Sequence, residues 1–157
     1  MAPKTKAPTG LSITREENVF TFTWKIGDSN YSDGQQLEYR VANGEWIPIT
    51  VGKTATTATW TMNKSQYYPT TATIASSVSF RVRGNRKKYK QKKKTINPGW
   101  SDWAEKTLAI AAPKKPEVTA TLDNELSNKT TFNWSIPADD DQNAQKPFFV
   151  NYEWQTA

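Results

Sequence analysis

The stretch Val19-Phe20-Thr21-Phe22-Thr23-Trp24 decides the fold of this chain. Because successive side chains of a β-strand point to opposite faces, Phe20, Phe22 and Trp24 share one face and the two threonines share the other. Three large rings on one face require a facing apolar layer, whereas the threonine face tolerates water. The stretch therefore predicts one strand of an antiparallel sheet that covers a core.

The same alternation recurs at short intervals over the first 110 residues, between positions rich in Gly, Pro, Asn and Asp. Asn43-Gly44 is a strong hairpin signal. Short alternating runs without a sustained helical period are typical of an all-β sandwich. The predicted strands are Leu11–Thr14, Asn18–Lys25, Gln36–Val41, Glu45–Thr50, Thr56–Met62, Ser76–Arg83 and Trp103–Ala109. The predicted core residues of this sandwich are Phe20, Phe22, Trp24, Tyr39, Phe80 and Val82.

Part of the pattern repeats later in the chain. The run Phe22–Ile26 is echoed 110 residues later by Phe132-Asn133-Trp134-Ser135-Ile136. The repeat predicts that Phe132 and Trp134 are core residues of a second domain. We predict an N-terminal tail over residues 1–7, a first domain over 8–110, a proline-stiffened linker over 111–115 and a second domain over 116–157. The second repeat holds 42 residues, too few to close a sandwich, so the second domain is expected to be incomplete.

The residue inventory restricts the chemistry. The 157-residue chain contains no cysteine and no histidine, which excludes disulfides, thiolate nucleophiles and imidazole catalysis. Carboxylates such as Glu16, Glu17, Asp28 and Asp33 lack a cleft-forming insertion around them. Asp139-Asp140-Asp141 lacks the spacing of an EF-hand loop, which favours a solvated turn over a calcium site. We predict a non-catalytic protein with no cofactor, no metal site and no membrane span.

Positive charge is concentrated in one segment. Nine of the 21 basic residues lie between Arg81 and Lys94, and none of the 15 acidic residues does. We predict a loop between the sixth and seventh strands that is extended and mobile when free, because its like charges repel one another. The candidate partner-binding residues are Arg86, Lys87, Lys88, Tyr89, Lys90, Lys92, Lys93 and Lys94. The alternatives are a contact with an acidic partner surface, a teichoic or other polyanionic glycan or nucleic acid, and a solvated loop without a partner. Nucleic acid is disfavoured, because only Tyr89 interrupts the lysines and no stacking platform is present.

The order of these motifs resembles that of fibronectin type III domains, in full over residues 8–110 and in part over 116–157. The resemblance rests on Pro8 and Pro116 before the first strand, Trp24 and Trp134 in the second, Tyr39 and Tyr152 in the third, and Val78–Arg86 in the sixth. It implies an immunoglobulin-like β-sandwich whose sixth-to-seventh loop lies at one pole, where partners often bind. Val78 stands where the family usually has a tyrosine.

Trp100-Ser101-Asp102-Trp103 resembles the Trp-Ser-x-Trp element of some cytokine-receptor members of this superfamily. In that arrangement the rings interleave with arginines of the neighbouring strand, and Arg81 and Arg83 occupy the outward positions needed. The resemblance implies a structural brace of Arg81, Arg83, Trp100 and Trp103, favoured over a binding face.

Fibronectin type III modules without cysteine resemble those of tailed-bacteriophage virion proteins, which assemble in the reducing cytoplasm of the host. The resemblance implies a structural or adhesive virion module, at the tail or its tip. Its expected partners are other virion proteins, copies of itself or an acidic host-surface glycan. One alternative is an accessory binding module of a secreted or cell-wall carbohydrate-active enzyme, located outside the bacterial cell or on its surface. Another is a nonspecific polyanion or nucleic-acid tether.

Overall fold

The computed structural model describes residues 3–70, 73–110, 117–122 and 130–135. The chain divides into two compact units, Met1–Ile110 and Ala111–Ala157. The predicted linker, the Asp139–Asp141 turn and the predicted positions Tyr152 and Pro116 lie outside the described residues. The described secondary structure is almost entirely antiparallel β-sheet.

The first unit contains ten strands and one short helix among its described residues. In chain order they are β1 (Thr9–Glu16), β2 (Val19–Lys25), β3 (Gly34–Val41), β4 (Ile47–Ile49), β5 (Thr57–Thr61), α1 (Lys64–Tyr67), β6 (Ser77–Arg86), β7 (Tyr89–Gln91), β8 (Lys94–Ile96), β9 (Gly99–Trp100) and β10 (Ala104–Ala109). The second unit has β11 (Glu117–Leu122) and β12 (Thr130–Ser135).

Two sheets form the body of the first unit. One has the strand order β1-β2-β5, and the other has the order β10-β6-β3-β4 with β9 paired to the end of β6. All of these pairings are antiparallel. The short strands β7 and β8 pair only with each other. Over the part of the chain that the structure describes, the prediction of an all-β fold is confirmed.

The core lies between the two sheets, where the rings of β2 meet Phe80 of β6. Phe20 and Phe22 are fully buried and Trp24 is 3% exposed. The Phe22 ring stacks on Phe80 of the other sheet, with the ring centroids 4.8 Å apart. Val78 and Val82, which flank Phe80 on the same face of β6, are also fully buried. The apolar residues that alternate along β2 and β6 therefore face the same core from opposite sides.

The β3–β4 hairpin joins the third and fourth strands through residues 42–46. The Gly44 N–H donates to the Val41 carbonyl oxygen at 3.0 Å. The left-handed residue of this turn is Ala42, with φ of 50°. β4 is short and carries Pro48. Proline has no N–H to donate to a further neighbouring strand, so it suits an edge strand.

The connection after β5 contains the helix α1, which the sequence pattern did not reveal. The Asn63 side chain accepts from the Gln66 N–H, and the Gln66 side chain accepts from the Asn63 N–H, which closes a capping box. The last helical residue, Tyr67, is 1% exposed. Its carbonyl oxygen accepts from the Ala75 N–H at 2.7 Å, so the connection folds back on itself.

Tyr31 is a second buried residue that lies outside the predicted core. Its ring is fully buried and packs directly on Gly84 of β6, where an added Cβ would lie 2.1 Å from the ring. Its hydroxyl donates to the Lys6 carbonyl oxygen at 3.0 Å and accepts from the Gly27 N–H at 2.8 Å. Tyr31 thereby fastens the N-terminal segment and the β2–β3 connection to β6.

Alkaline pH is expected to destabilise the first unit. Burial raises the pKa of Tyr67, and burial with the Asp28 charge raises that of Tyr31. Above about pH 10 an unfolded tyrosine loses its proton while these two retain it, so the unfolded state binds fewer protons. The free energy of unfolding therefore falls as pH rises through that range.

The measurement for this pH effect is urea unfolding between pH 9 and 11. Tyr67→Phe removes one of the two groups and should reduce the slope of stability against pH. Tyr89→Phe, which removes the hydroxyl of a half-exposed ring, is the matched control. If the slope of stability against pH were the same in Tyr67→Phe as in the wild type, the raised pKa of Tyr67 would be contradicted.

In the second unit, β11 and β12 form an antiparallel pair. Val118 lies opposite Trp134, and Ala120 lies opposite Phe132. Contrary to the prediction that it is a core residue, Phe132 is 53% exposed. A two-stranded ribbon has one layer only, so its rings are covered only where a second layer faces them. The burial of Trp134 lies outside the described residues.

Candidate functional site

Three segments of the first unit meet at one end of the sandwich, which we call the pole. They are the N-terminal residues 3–8, the β2–β3 connection over residues 26–33 and the segment 87–98 after β6. All three adjoin the end of β6, where Asn85 pairs with Gly34 and Arg86 pairs with Gly99. The candidate partner-binding residues Arg86–Lys94 all lie here.

The lysine-rich segment is a β-hairpin, which corrects the prediction of an extended loop. Tyr89 pairs with Ile96, Lys90 with Thr95 and Gln91 with Lys94. We call β7, β8 and the two residues between them the basic hairpin. Ladder hydrogen bonds and the contact at its base offset the repulsion between its lysines.

The turn of the basic hairpin consists of Lys92 and Lys93, with φ of 47° and 65°. Positive φ at both central residues is the geometry of a type I′ turn, which matches the twist of a two-residue hairpin. Gly adopts positive φ most readily because it has no Cβ to approach the following carbonyl oxygen, and Asn does so because its side chain can hydrogen-bond locally. The two lysines therefore stand where the backbone alone would favour other residues.

Arg86 anchors the base of the basic hairpin. Its guanidinium lies over the Tyr89 ring at 4.1 Å, and its Nη1 is 3.3 Å from Asp28 Oδ1. The Arg86 N–H donates to Thr5 Oγ1 at 3.1 Å. The Lys87 N–H donates to Ser32 Oγ at 2.9 Å. The hairpin is thus tied both to the N-terminal segment and to the β2–β3 connection.

The lysines of the basic hairpin and its base carry positive charge that the rest of the described structure does not neutralise. Lys87, Lys88, Lys90, Lys92, Lys93 and Lys94 are all exposed. None of the ion pairs among the described residues includes any of these six lysines. The carboxylate of Asp28 pairs with Arg86 instead. Because Lys90 and Lys94 belong to neighbouring cross-strand pairs, they point to opposite faces of the ribbon. The charge therefore surrounds the hairpin rather than forming a flat patch.

The structure brings the four predicted brace residues together on the outer face of the second sheet. The Arg83 guanidinium lies 4.9 Å from the Trp100 ring centroid and 4.5 Å from that of Trp103. The Arg81 guanidinium lies 4.3 Å from the Trp103 ring centroid. Arginines and tryptophans thus alternate along this face, each contact being worth about 0.5 to 1 kcal/mol where exposed.

The alternation continues to two residues that the sequence reasoning missed. Arg81 also lies over Trp46 at 4.4 Å, and Arg40 lies over the same ring at 4.5 Å. Two features of the sequence could have indicated this placement. Arg40 lies at an outward position of β3, and the chain reverses at Asn43-Gly44, which returns Trp46 to the side of Arg40. We call the six residues Trp100, Arg83, Trp103, Arg81, Trp46 and Arg40 the outer ladder.

Side chains of β3 hold the arginines of the outer ladder in place. Arg81 donates through Nε to Glu38 Oε1 at 2.8 Å, and its Nη2 lies 2.6 Å from the same oxygen. Arg83 donates through Nε to Gln36 Oε1 at 2.7 Å. The planes of both guanidiniums are therefore fixed from the side as well as by the rings.

A shallow groove of about 520 Å³ runs beside the outer ladder. Gln36, Glu38, Arg81, Arg83 and Trp103 line it together with residues 48–51. Both arginines lie over the Trp103 ring, so that ring already has its cationic partners within the protein. This arrangement favours a bracing role for the ladder.

Trp46→Ala is expected to lower the free energy of unfolding by about 1 to 2 kcal/mol, because it removes two of the cation–π contacts of the outer ladder. Urea unfolding measures the loss. Ile47→Ala, at a neighbouring position that is 42% exposed, is the matched control. A Trp46→Ala loss no greater than that of the control would contradict the bracing role.

Within the described residues there is no group of three or more Asp, Glu, His or Cys residues that could hold a metal ion. Over the same part of the chain, no helix has the length and hydropathy needed to cross a membrane.

Comparison of the chain with models of protein families gives no match, and comparison with curated proteins gives no significant match.

Proposed function

We propose that this chain is a non-catalytic structural and adhesive module of a tailed-phage virion, placed at the tail or its tip. Its first unit would act as a rigid spacer, and its pole would contact other virion proteins, further copies of the chain or the host surface. The observation that carries the proposal is the pole itself, where three segments fix a hairpin with uncompensated positive charge.

We also propose that the first unit is a fibronectin type III domain. In constant-type immunoglobulin domains the fourth strand belongs to the same sheet as the first and second. Here β4 pairs with β3, in the sheet that contains β6 and β10. This strand order supports a fibronectin type III arrangement, as does the alternation of rings in β2. Tyr67 is buried in the connection before β6, upstream of Val78, which stands where the family usually has a tyrosine.

The adhesive part of the proposal is supported by how the charge is presented. A flexible loop loses conformational freedom when it binds, and that loss weakens binding. The anchors at Arg86 and Lys87 remove much of this loss before a partner arrives. An exposed, ordered set of lysines therefore suits repeated contacts with an acidic surface.

The virion part of the proposal is supported by the resemblance and by the way in which the fold is stabilised. A module without cysteine has no disulfides to hold it together outside the cell. The stacked core rings and the outer ladder supply non-covalent bracing that is independent of redox state. Assembly in a reducing cytoplasm followed by exposure on a particle is compatible with such a design.

Purified particles from cells that express the chain provide the test. Immunogold electron microscopy with an antibody to the first unit should label the tail or its tip. Pre-incubation of the antibody with the purified chain should abolish the label and serves as the control. Unlabelled particles, together with a catalytic domain in the same polypeptide, would overturn the proposal in favour of an accessory module of an enzyme.

A further inference from the structure

We propose that the basic hairpin binds a flexible polymer of phosphodiesters without bases, such as a polyol-phosphate chain of a bacterial cell wall. The inference rests on the adhesive role proposed above and names the chemistry of its partner. Three properties of the hairpin carry it: where its lysines point, which cation they present and what its one ring contacts.

The first property is the placement of charge around the ribbon. Lys90 and Lys94 point to opposite faces, and Lys92 and Lys93 form the tip. A flat acidic protein surface would meet only one of these faces and leave the other lysines unpaired. A flexible chain with closely spaced charges can pass around the tip and contact both faces.

The second property is the choice of cation. The exposed cations of the basic hairpin and its base are six lysines, whereas the arginine at the base, Arg86, is engaged by Asp28 and the Tyr89 ring. Arginine is preferred where carboxylates or phosphates are held in a fixed plane through two parallel hydrogen bonds. A lysine ammonium acts as a compact point charge and requires no fixed plane, which suits the phosphates of a flexible chain.

The third property is the position of Tyr89, the only aromatic ring of the basic hairpin. Proteins that bind single-stranded nucleic acid present several rings on which successive bases stack. Here one ring is present and the Arg86 guanidinium already lies over it at 4.1 Å. The hairpin therefore offers charge to a phosphate backbone and offers no platform for bases.

The turn residues separate the role of charge from the role of structure. Lys92 and Lys93 have positive φ, for which Asn and Gly are better suited. The double variant Lys92→Asn, Lys93→Gly should keep or increase the stability of the hairpin while it removes two charges. Weaker binding by this variant would report on the ammonium groups rather than on a lost turn.

The experiment measures binding of the full chain to poly(glycerol phosphate) by fluorescence anisotropy at several salt concentrations. The turn variant should bind roughly tenfold more weakly at 0.1 M salt, and the slope of log K against log salt should fall by about 1.4. The matched control is Lys53→Gln, Lys106→Gln, which removes two exposed charges elsewhere and should change the affinity less than twofold. Single-stranded DNA and polygalacturonate of equal length should bind more weakly than poly(glycerol phosphate).

Equal losses in the turn variant and the control would show that net charge alone is responsible and would overturn the inference. Wild-type affinity in the turn variant would also overturn the inference. Tighter binding of DNA would assign the hairpin to nucleic acid, and tighter binding of polygalacturonate would assign it to carboxylated glycans. These failures leave the labelling of particles unaffected, whereas unlabelled particles would overturn the virion role and leave polymer binding intact.

Discussion

Replacing Trp24 with alanine is expected to lower the free energy of unfolding by about 3 to 5 kcal/mol, because it empties a core position. The side chain is 3% exposed and its ring lies against Phe80 of the opposite sheet, with centroids 6.2 Å apart. The indole N–H also donates to Gln35 Oε1 at 2.9 Å. The substitution therefore removes packing between the sheets together with a hydrogen bond.

The loss extends beyond the cavity because of what Gln35 holds. Its Nε2 donates to the carbonyl oxygens of Gly52 and Ala55, at 2.8 and 2.9 Å. Trp24 thus orients the side chain that ties down the segment between β4 and β5. Trp24→Phe keeps a six-membered aromatic ring in the core and loses the five-membered ring of the indole with its N–H, so its cost should be smaller.

Urea unfolding followed by fluorescence of the remaining tryptophans measures both variants. The expected order of stability is wild type, then Trp24→Phe, then Trp24→Ala. A Trp24→Ala protein within about 1 kcal/mol of wild type would contradict the placement of this ring between the two sheets.

Gly84→Ala is expected to destabilise the first unit by about 3 kcal/mol, at the upper end of the range for overpacking. An added Cβ would lie 2.1 Å from Tyr31 Cγ, a distance that forces the ring to move. Movement of the ring would break the bonds from its hydroxyl to Lys6 and from Gly27 to its hydroxyl. One methyl group would therefore loosen two of the three segments of the pole.

A matched substitution separates this clash from the general effect of replacing glycine. At Gly52 an added Cβ meets nothing within 4 Å, so Gly52→Ala should be neutral or slightly stabilising. In a Tyr31→Ala background the cost of Gly84→Ala should shrink, because the ring that it strikes is gone. Equal costs of Gly84→Ala with and without Tyr31 would show that the two residues do not meet.

The central strands β2 and β6 were accessible from the sequence because each buries alternating apolar residues. Alternation in β2 and β6 reveals strands without knowledge of their partners, since burial of every second residue is a local pattern. The ends of strands were less accessible. β6 continues to Arg86, three residues beyond its predicted end, because β9 pairs with that extension.

The basic hairpin was not accessible because its signals are weak in the sequence. Its strands are three residues each, and Lys92-Lys93 does not resemble the Asn-Gly or Asp-Gly pairs that mark such turns. Charge repulsion argued for an extended loop. The contacts that favour the hairpin join Arg86 to Asp28 and Thr5, residues far apart in the chain.

Tyr31 and Trp46 were missed for a related reason. Tyr31 lies in a polar segment with no periodic neighbours to mark a buried role, and Trp46 lies in a short predicted strand whose sequence does not show which arginines will face it. Tyr31 is buried because Gly84 leaves room for its ring, and Trp46 is stacked because β3 and β6 place two arginines around it. Both roles depend on pairings between distant strands. The Trp100–Trp103 element, by contrast, was visible as a motif with its own arginine partners.

Backbone ¹⁵N relaxation of the full chain shows whether the basic hairpin is an ordered ribbon fixed to the pole. We expect order parameters near 0.85 for the amides of β7 and β8, as in rigid backbone, with cross-strand NOEs between Lys90 and Thr95. Order parameters below about 0.6 from Tyr89 to Ile96, without those NOEs, would contradict it.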